Sequence, residues 1–185
     1  MEGYGLAVGI WDEGGPDEVK LGFAEFTKGG SAVRYTEEFW GPTYDQTGTA
    51  PVDQVKVGES ATAEIFMAER ALELFNKIFP AAKLINGDNG NKKLVWGGMV
   101  GQGFKKFAKN LTFRPTANIG AGPDGEDIKD GDITLYNAIP QADFEISFQL
   151  QNEQIYKISF VGAPNAEGRL ISMGDDSVVE TEQEG

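Results

Sequence analysis

The chain has 185 residues, 40% of them apolar and 11% aromatic, which is the size and composition of one folded domain with a single core and excludes a wholly disordered chain. It contains no cysteine and no histidine, so disulfide frameworks, thiol nucleophiles, Ser-His-Asp triads and the usual zinc sites have no residues to build them. With 16 Lys and Arg against 29 Asp and Glu the net charge is −13, a sign that repels phosphates and argues against binding nucleic acid by charge neutralisation.

The opening, residues 1–15, lacks the basic flank and small-residue cleavage site of a signal peptide, and no apolar run is long enough to span a bilayer, so neither secretion nor membrane insertion is expected. Residues 1–18, rich in Gly and acid, read as an N-terminal extension to a domain at 19–174. Glycine-punctuated apolar stretches then suggest strands and turns. Residues 19–27 and 32–40 flank Lys28-Gly29-Gly30-Ser31, a good hairpin connection. Residues 52–57 and 60–67 follow as two further strands. One helix is predicted over 68–79, where Ala71, Leu72, Phe75, Ile78 and Phe79 recur at three- and four-residue spacing. Glu69 lies in its first turn, Glu73 is placed to pair with Lys77, and Pro80 ends it.

Beyond the helix, strands are predicted at 92–96, 110–114 and 132–139. The clearest alternation comes at 142–150, with Ala142, Phe144, Ile146, Phe148 and Leu150 on one face and Asp143, Glu145, Ser147 and Gln149 on the other. The chain returns over 155–161, with Tyr156, Ile158 and Phe160 opposite Lys157 and Ser159, so a long antiparallel hairpin with one dry and one wet side is expected. Residues 175–185 form an acidic tail, carrying Asp175, Asp176, Glu180, Glu182 and Glu184 with no base.

Motifs that carry chemistry are few. The run Gly97–Gly103 lacks the Walker lysine and the strand-to-helix setting of a dinucleotide fold, and reads as a turn. The acids of 124–132 miss the EF-hand spacing, since Ile128 stands where a ligand is needed, and read as a polar loop. Asn110-Leu111-Thr112 is a glycosylation sequon without a secretory context. The best enzyme reading is a β-sandwich glycosidase or glycan-binding protein, with Glu37 or Glu38 and Glu145 as candidate carboxylates. Most aromatics, however, are Phe at apolar-face positions, where core packing is the natural role. Neither cofactor nor enzymatic activity is expected.

One ordered set of residues goes further. Asp45, Gln46, Gly48, Thr49, Pro51, Val52 and Asp53 are followed by Gly58 and Glu59, then by Ala68, Glu69, Leu72 and Glu73. The set resembles the tail tube (major tail) proteins of tailed bacteriophages, in which a DQ-G-T-PVD-like segment leads to a Gly-Glu turn, a strand and a helix opening on an AE-x-x-LE-like motif. The similarity covers residues 20–173, and departs from the family in the opening, in the acidic loop 121–132 and in the charged tail.

The resemblance implies a β-sandwich or barrel with a flanking helix, assembled as homo-hexameric rings that stack into a hollow tube for DNA ejection. It also implies partners among other tail proteins, namely the tape measure, the tube initiator and terminator, and a sheath if the tail contracts. The location is the virion, and the host cytoplasm during assembly. DNA would pass without specific binding and no membrane is involved; a tube initiator or a type VI secretion tube protein is a related reading. Combined with the alternation above, it places Asp143, Glu145, Ser147, Gln149, Lys157 and Ser159 on the lumen. It also makes 41–58, with Tyr44, Asp45, Gln46, Thr49, Pro51 and Val52, an arm to a neighbouring subunit or ring. The acidic tail is expected on the outside, where its charge is solvated and not crowded into one annulus.

Overall fold

A computed structural model describes residues 7–21, 31–42, 53–67, 72–142 and 156–178. Within these the protein is mainly β, with antiparallel pairing throughout. The strands are β1 (Ala7–Trp11), β2 (Val19–Leu21), β3 (Ser31–Trp40), β4 (Val55–Met67), β5 (Ala82–Asn86), β6 (Lys92–Trp96), β7 (Lys109–Pro115), β8 (Ile133–Ala142), β9 (Tyr156–Val161) and β10 (Ile171–Met173). A single α-helix, α1 (Leu72–Ile78), follows β4. One sheet runs in the order β2-β1-β7-β8-β9-β4-β3, with β10 beside β8, and β5 and β6 form a separate hairpin.

Strand β8 joins the two halves of the main sheet. Its first residues, Ile133 to Leu135, lie between β7 and β10, whereas Ile139 to Ala142 pair with β9. The change of partner falls at Asn137, whose φ of 43° is a left-handed value that Asn tolerates better than most residues. Its backbone N–H donates to Asn110 Oδ1 at 3.2 Å and its Nδ2 to the Pro164 carbonyl at 3.0 Å, so side chains satisfy groups that the bend takes out of the ladder. Beyond the bend Pro140 lies opposite Phe160 of β9, and since β7 pairs with β8 no further than Ala138, the other edge of β8 has no strand there among the described residues, a setting that tolerates proline.

The sheet curls so that its halves share a core. Trp11 of β1 packs on Phe160 of β9 with ring centroids 5.5 Å apart, although two strands separate them in the sheet order. Gly9 faces Ile65 so closely that an added Cβ would lie 2.7 Å from Ile65 Cδ1, and Gly162 stands in the same relation to Leu135 Cδ1, at 2.6 Å. Both glycines sit where the two halves approach without room for a methyl group. The edge strands β2 and β3 are not hydrogen-bonded to one another, so the sheet remains open.

Helix α1 covers one end of this core. Phe75, Ile78 and Phe79 are buried, as their spacing predicts. Phe75 meets Tyr156 edge-on at 5.5 Å, and Phe79 meets Trp96 of β6 at 4.9 Å, so the helix is held between β9 and the β5–β6 hairpin. Asn76 Oδ1 accepts the Leu84 N–H at 2.8 Å. Glu73 pairs with Lys92 of β6 and not with Lys77, because the hairpin brings a cation to the solvent side of the helix. The first residues of the predicted helix, 68–71, lie outside the described residues.

Several sequence expectations are redrawn. Residues set apart as an N-terminal extension supply β1, which lies between β2 and β7 with Val8, Ile10 and Trp11 buried. The two strands predicted at 52–57 and 60–67 are one in the described residues, since β4 runs straight through Gly58-Glu59. The irregularity there is a bulge, with Glu38 opposite Gly58 and Phe39 opposite Lys56. The residues that would join 19–27 to 32–40 as a hairpin, and those of 143–150, lie outside the described residues.

Candidate functional site

The half-sheet β8-β9-β4-β3 has a dry face, carrying Ala61, Ala63, Ile65, Ile158 and Phe160 into the core, and a polar face turned away from it. Register places side by side Arg34, Thr62 and Val161, then Glu64, Ser159 and Gln141. Lys157 Nζ reaches Glu64 Oε1 at 2.5 Å. The alternation read in β9 is therefore present, with Tyr156, Ile158 and Phe160 buried and Lys157 and Ser159 half-buried on the opposite side. These two are the predicted lumen residues that the structure describes. Asp143, Glu145, Ser147 and Gln149 lie outside the described residues, as do Tyr44, Asp45, Gln46, Thr49, Pro51 and Val52.

Strand β9 covers β4 only from Thr62 to Met67. Over Val55–Ser60, β4 is paired with β3 alone among the described residues, so residues 35–40 and 55–60 form a two-stranded ribbon that overhangs the domain. Isolated ribbons of this kind are marginal in water, and this one exposes large apolar side chains. Phe39 is 53% exposed, Trp40 59%, Val55 48% and Val57 62%. Trp40 and Val55 are cross-strand partners, so they stand on the same face.

Below this apolar tip four side chains form a bonded set. Tyr35 Oη donates to Glu37 Oε1 at 2.9 Å or Glu59 Oε2 at 2.8 Å, and Lys56 Nζ donates to Tyr35 Oη at 2.9 Å and to Glu37 at 2.8 Å while also contacting Glu59. The bulge produces this set, because it turns Lys56 onto the face of Tyr35, Glu37 and Glu59. The Lys56 ammonium holds both Glu37 and Glu59 below the usual carboxylate range, and they in turn raise Lys56. Held charged in this way, Glu37 is not placed as the protonated acid of a glycosidase; Glu145, the second carboxylate of that reading, lies outside the described residues. Glu38 lies on the other face of the ribbon, against Gly58.

The far half of the sheet is closed. Thr112 and Arg114 of β7 point away from the core yet are buried, beneath the β1–β2 turn and the loop 119–132. Arg114 Nε and Nη2 grip Asp132 at 3.0 and 2.6 Å, Nη1 meets Asp127 at 2.7 Å, and Nη2 meets Glu13 at 2.8 Å. Asp132 first, and then Glu13, hold the guanidinium in its charged form. Asp127 also accepts the Gly120 N–H at 2.8 Å; that bond, and then Arg114, lowers its pKa below the ordinary Asp value. The acids that fail the EF-hand spacing are thus used to tie a loop to an arginine. Among the described residues no group of acids is placed to hold a metal ion.

Further along β4 from the ribbon tip, where Ile139 and Pro140 lie in the rows of Thr62 and Ala63, an apolar pocket of about 430 Å³ opens between Phe79, Trp96, Phe104, Ile139 and Pro140. The glycine run 97–103 forms the exposed turn near it, with positive φ at Gly97, Gly98, Met99 and Gly101, as its reading as a turn implies. No helix among the described residues is long and apolar enough to cross a membrane. Compared with models of protein families the chain matches none, and no curated protein matches its sequence.

Proposed function

We propose that this chain is a non-enzymatic structural subunit that assembles with copies of itself, and that the assembly is the tube of a phage tail, built of stacked hexameric rings through which DNA is ejected. The observation that carries the reading is the overhanging ribbon. A monomer has no use for a strand pair that leaves the domain, exposes Phe39, Trp40, Val55 and Val57, and offers a β4 edge that no strand among the described residues covers. Neighbouring copies remove that exposure in every subunit at once.

The polar face of β3-β4-β9-β8 supports the same reading. Its charges are interspersed, Arg34 and Lys157 with Glu38 and Glu64, and contain no basic stripe to hold passing phosphates. In this reading the curled sheet is the sandwich or barrel of the subunit, and Lys157 and Ser159 face the lumen with the unplaced Asp143, Glu145, Ser147 and Gln149. The tape measure, the tube initiator and terminator, and a sheath in a contractile tail are its partners, and the virion its location.

Negative-stain microscopy and size-exclusion chromatography of the purified chain test the proposal. Rings or hollow filaments are expected from the parent chain, and a soluble, folded monomer from Trp40→Asp with Val57→Asp. A parent chain that stays monomeric at every concentration, or a double variant that assembles normally, removes the basis of the reading.

A further inference from the structure

The ribbon tip and the apolar pocket are complementary parts of one molecule that cannot meet within it. Trp40 lies in the row of Val55, and Ala142, at the pocket, lies in the row of Ile158 and Ile65. Ten residues of β4 separate those rows, about 30 Å along the strand. The projecting aromatics are therefore at one end of β4 and the cavity toward the other. We propose that Trp40 of one copy, with Val55 beside it on the same face of the ribbon, seats in the pocket formed by Phe79, Trp96, Phe104, Ile139 and Pro140 of a second copy. The inference rests on the self-assembly reading above and names the two surfaces that meet.

Size, chemistry and charge support the same occupant. The cavity, at about 430 Å³, is in the range that holds an organic ligand, and its walls are mostly apolar and aromatic. An aromatic ring buries about 150–250 Å² and gains further from edge and face contacts with rings such as Phe79 and Trp96. Beside the pocket, Lys105 and Lys106 follow Phe104 on an exposed turn. Lys106 donates to Gln102 Oε1 at 3.3 Å and lies over the Phe107 ring, and neither lysine is in an ion pair among the described residues. The ribbon carries the opposite sign, with Glu37, Glu38 and Glu59 against Lys56. In a chain of net charge −13, two exposed lysines directly after a pocket residue, Phe104, suit an acidic segment with an aromatic end. Because projection and pocket are different surfaces, the contact is heterologous and repeats from copy to copy; it does not stop at a pair.

The absence of native cysteine makes the contact directly measurable. Trp40→Cys and Gln141→Cys change exposed residues, one on the ribbon and one at the pocket rim. The two variants are mixed under reducing conditions, allowed to assemble, checked by microscopy and oxidised with a copper catalyst. A disulfide between the two variants, several-fold in excess over either variant joined to itself, is the expected result. Assemblies that give no mixed disulfide overturn this contact and leave the tube subunit reading standing. Predominant joining of Trp40→Cys to itself also overturns it, since that requires tips meeting face to face. A mixture that stays monomeric while the parent chain assembles is the loss expected when the seated Trp40 is removed, and a parent chain that never assembles overturns both.

Discussion

The two halves of the sheet use polar residues in opposite ways. In the β1-β7-β8 half, Arg114 is buried on the outer face and surrounded by three carboxylates, and Thr112 and Thr134 bond one another at 3.1 Å; no buried side-chain polar atom among the described residues lacks a partner. In the β3–β4 ribbon an equally dense set, Tyr35, Glu37, Lys56 and Glu59, lies in solvent. The hydrogen bonds are alike, but only the first set has lost its alternative partners in water. Ion pairs deprived of water are costly to break, whereas exposed ones contribute little. The closed half therefore holds the domain together, and the open half is free to serve contacts outside it.

This contrast is broken most directly at Arg114. Arg114→Ala leaves Asp132 buried without a cation, and a loss of about 3–5 kcal/mol is expected, read as a lower urea midpoint. A loss below about 1 kcal/mol would mean that the closed half is hydrated and resembles the ribbon. Next in size is Gly162→Ala, whose Cβ would press on Leu135, itself fully buried; overpacking of this kind costs about 1–3 kcal/mol and lowers the melting temperature without changing the charge.

The pH dependence of the closed half comes third. Asp127 is depressed in the folded chain, so between its folded and unfolded values the unfolded state binds more protons, and stability rises with pH. Its contribution is present above the ordinary Asp value of about 3.9 and is lost as the pH falls through the lower folded value. Protection of the 119–132 amides, measured against the intrinsic exchange rate at each pH, should fall in that acid range, and Asp127→Asn should flatten the response. The smallest effect is expected from Lys56→Met on the ribbon, which should leave the thermal midpoint unchanged. A clear drop would show that the open half also carries stability.

Much of the local structure was legible in the chain. The alternation of 155–161, the branched and aromatic residues of 32–40 and 110–114, and the stripe of Phe75, Ile78 and Phe79 all correspond to what is observed. The shortest elements were not. β1 has five residues, one of them Gly, within an acidic opening, and β10 has three; only long-range pairing with β7 and β8 makes them strands. At 55–67 a Gly-Glu pair that looks like a turn is carried through a strand because β3 continues opposite it. For the candidate site, Lys157 and Ser159 followed from a period of two, but the meeting of Lys56 with Tyr35 depends on a bulge, which changes register across 20 residues of sequence without leaving a periodic trace.

The pairing of β8 also constrains when this chain becomes competent. Its first half requires β7 on one side and β10, near residue 172, on the other, and β1 must find β7 roughly a hundred residues downstream. A ribosome releasing the chain from its N-terminus therefore presents strands whose partners do not yet exist, and the sheet cannot be completed until residues 171–173 have emerged. During that interval the aromatic ribbon 35–40 is already made. Nascent copies translated side by side on one message would display adhesive segments before they had finished domains, so a chaperone that holds exposed aromatic segments is the factor whose depletion should reduce the yield of soluble chain.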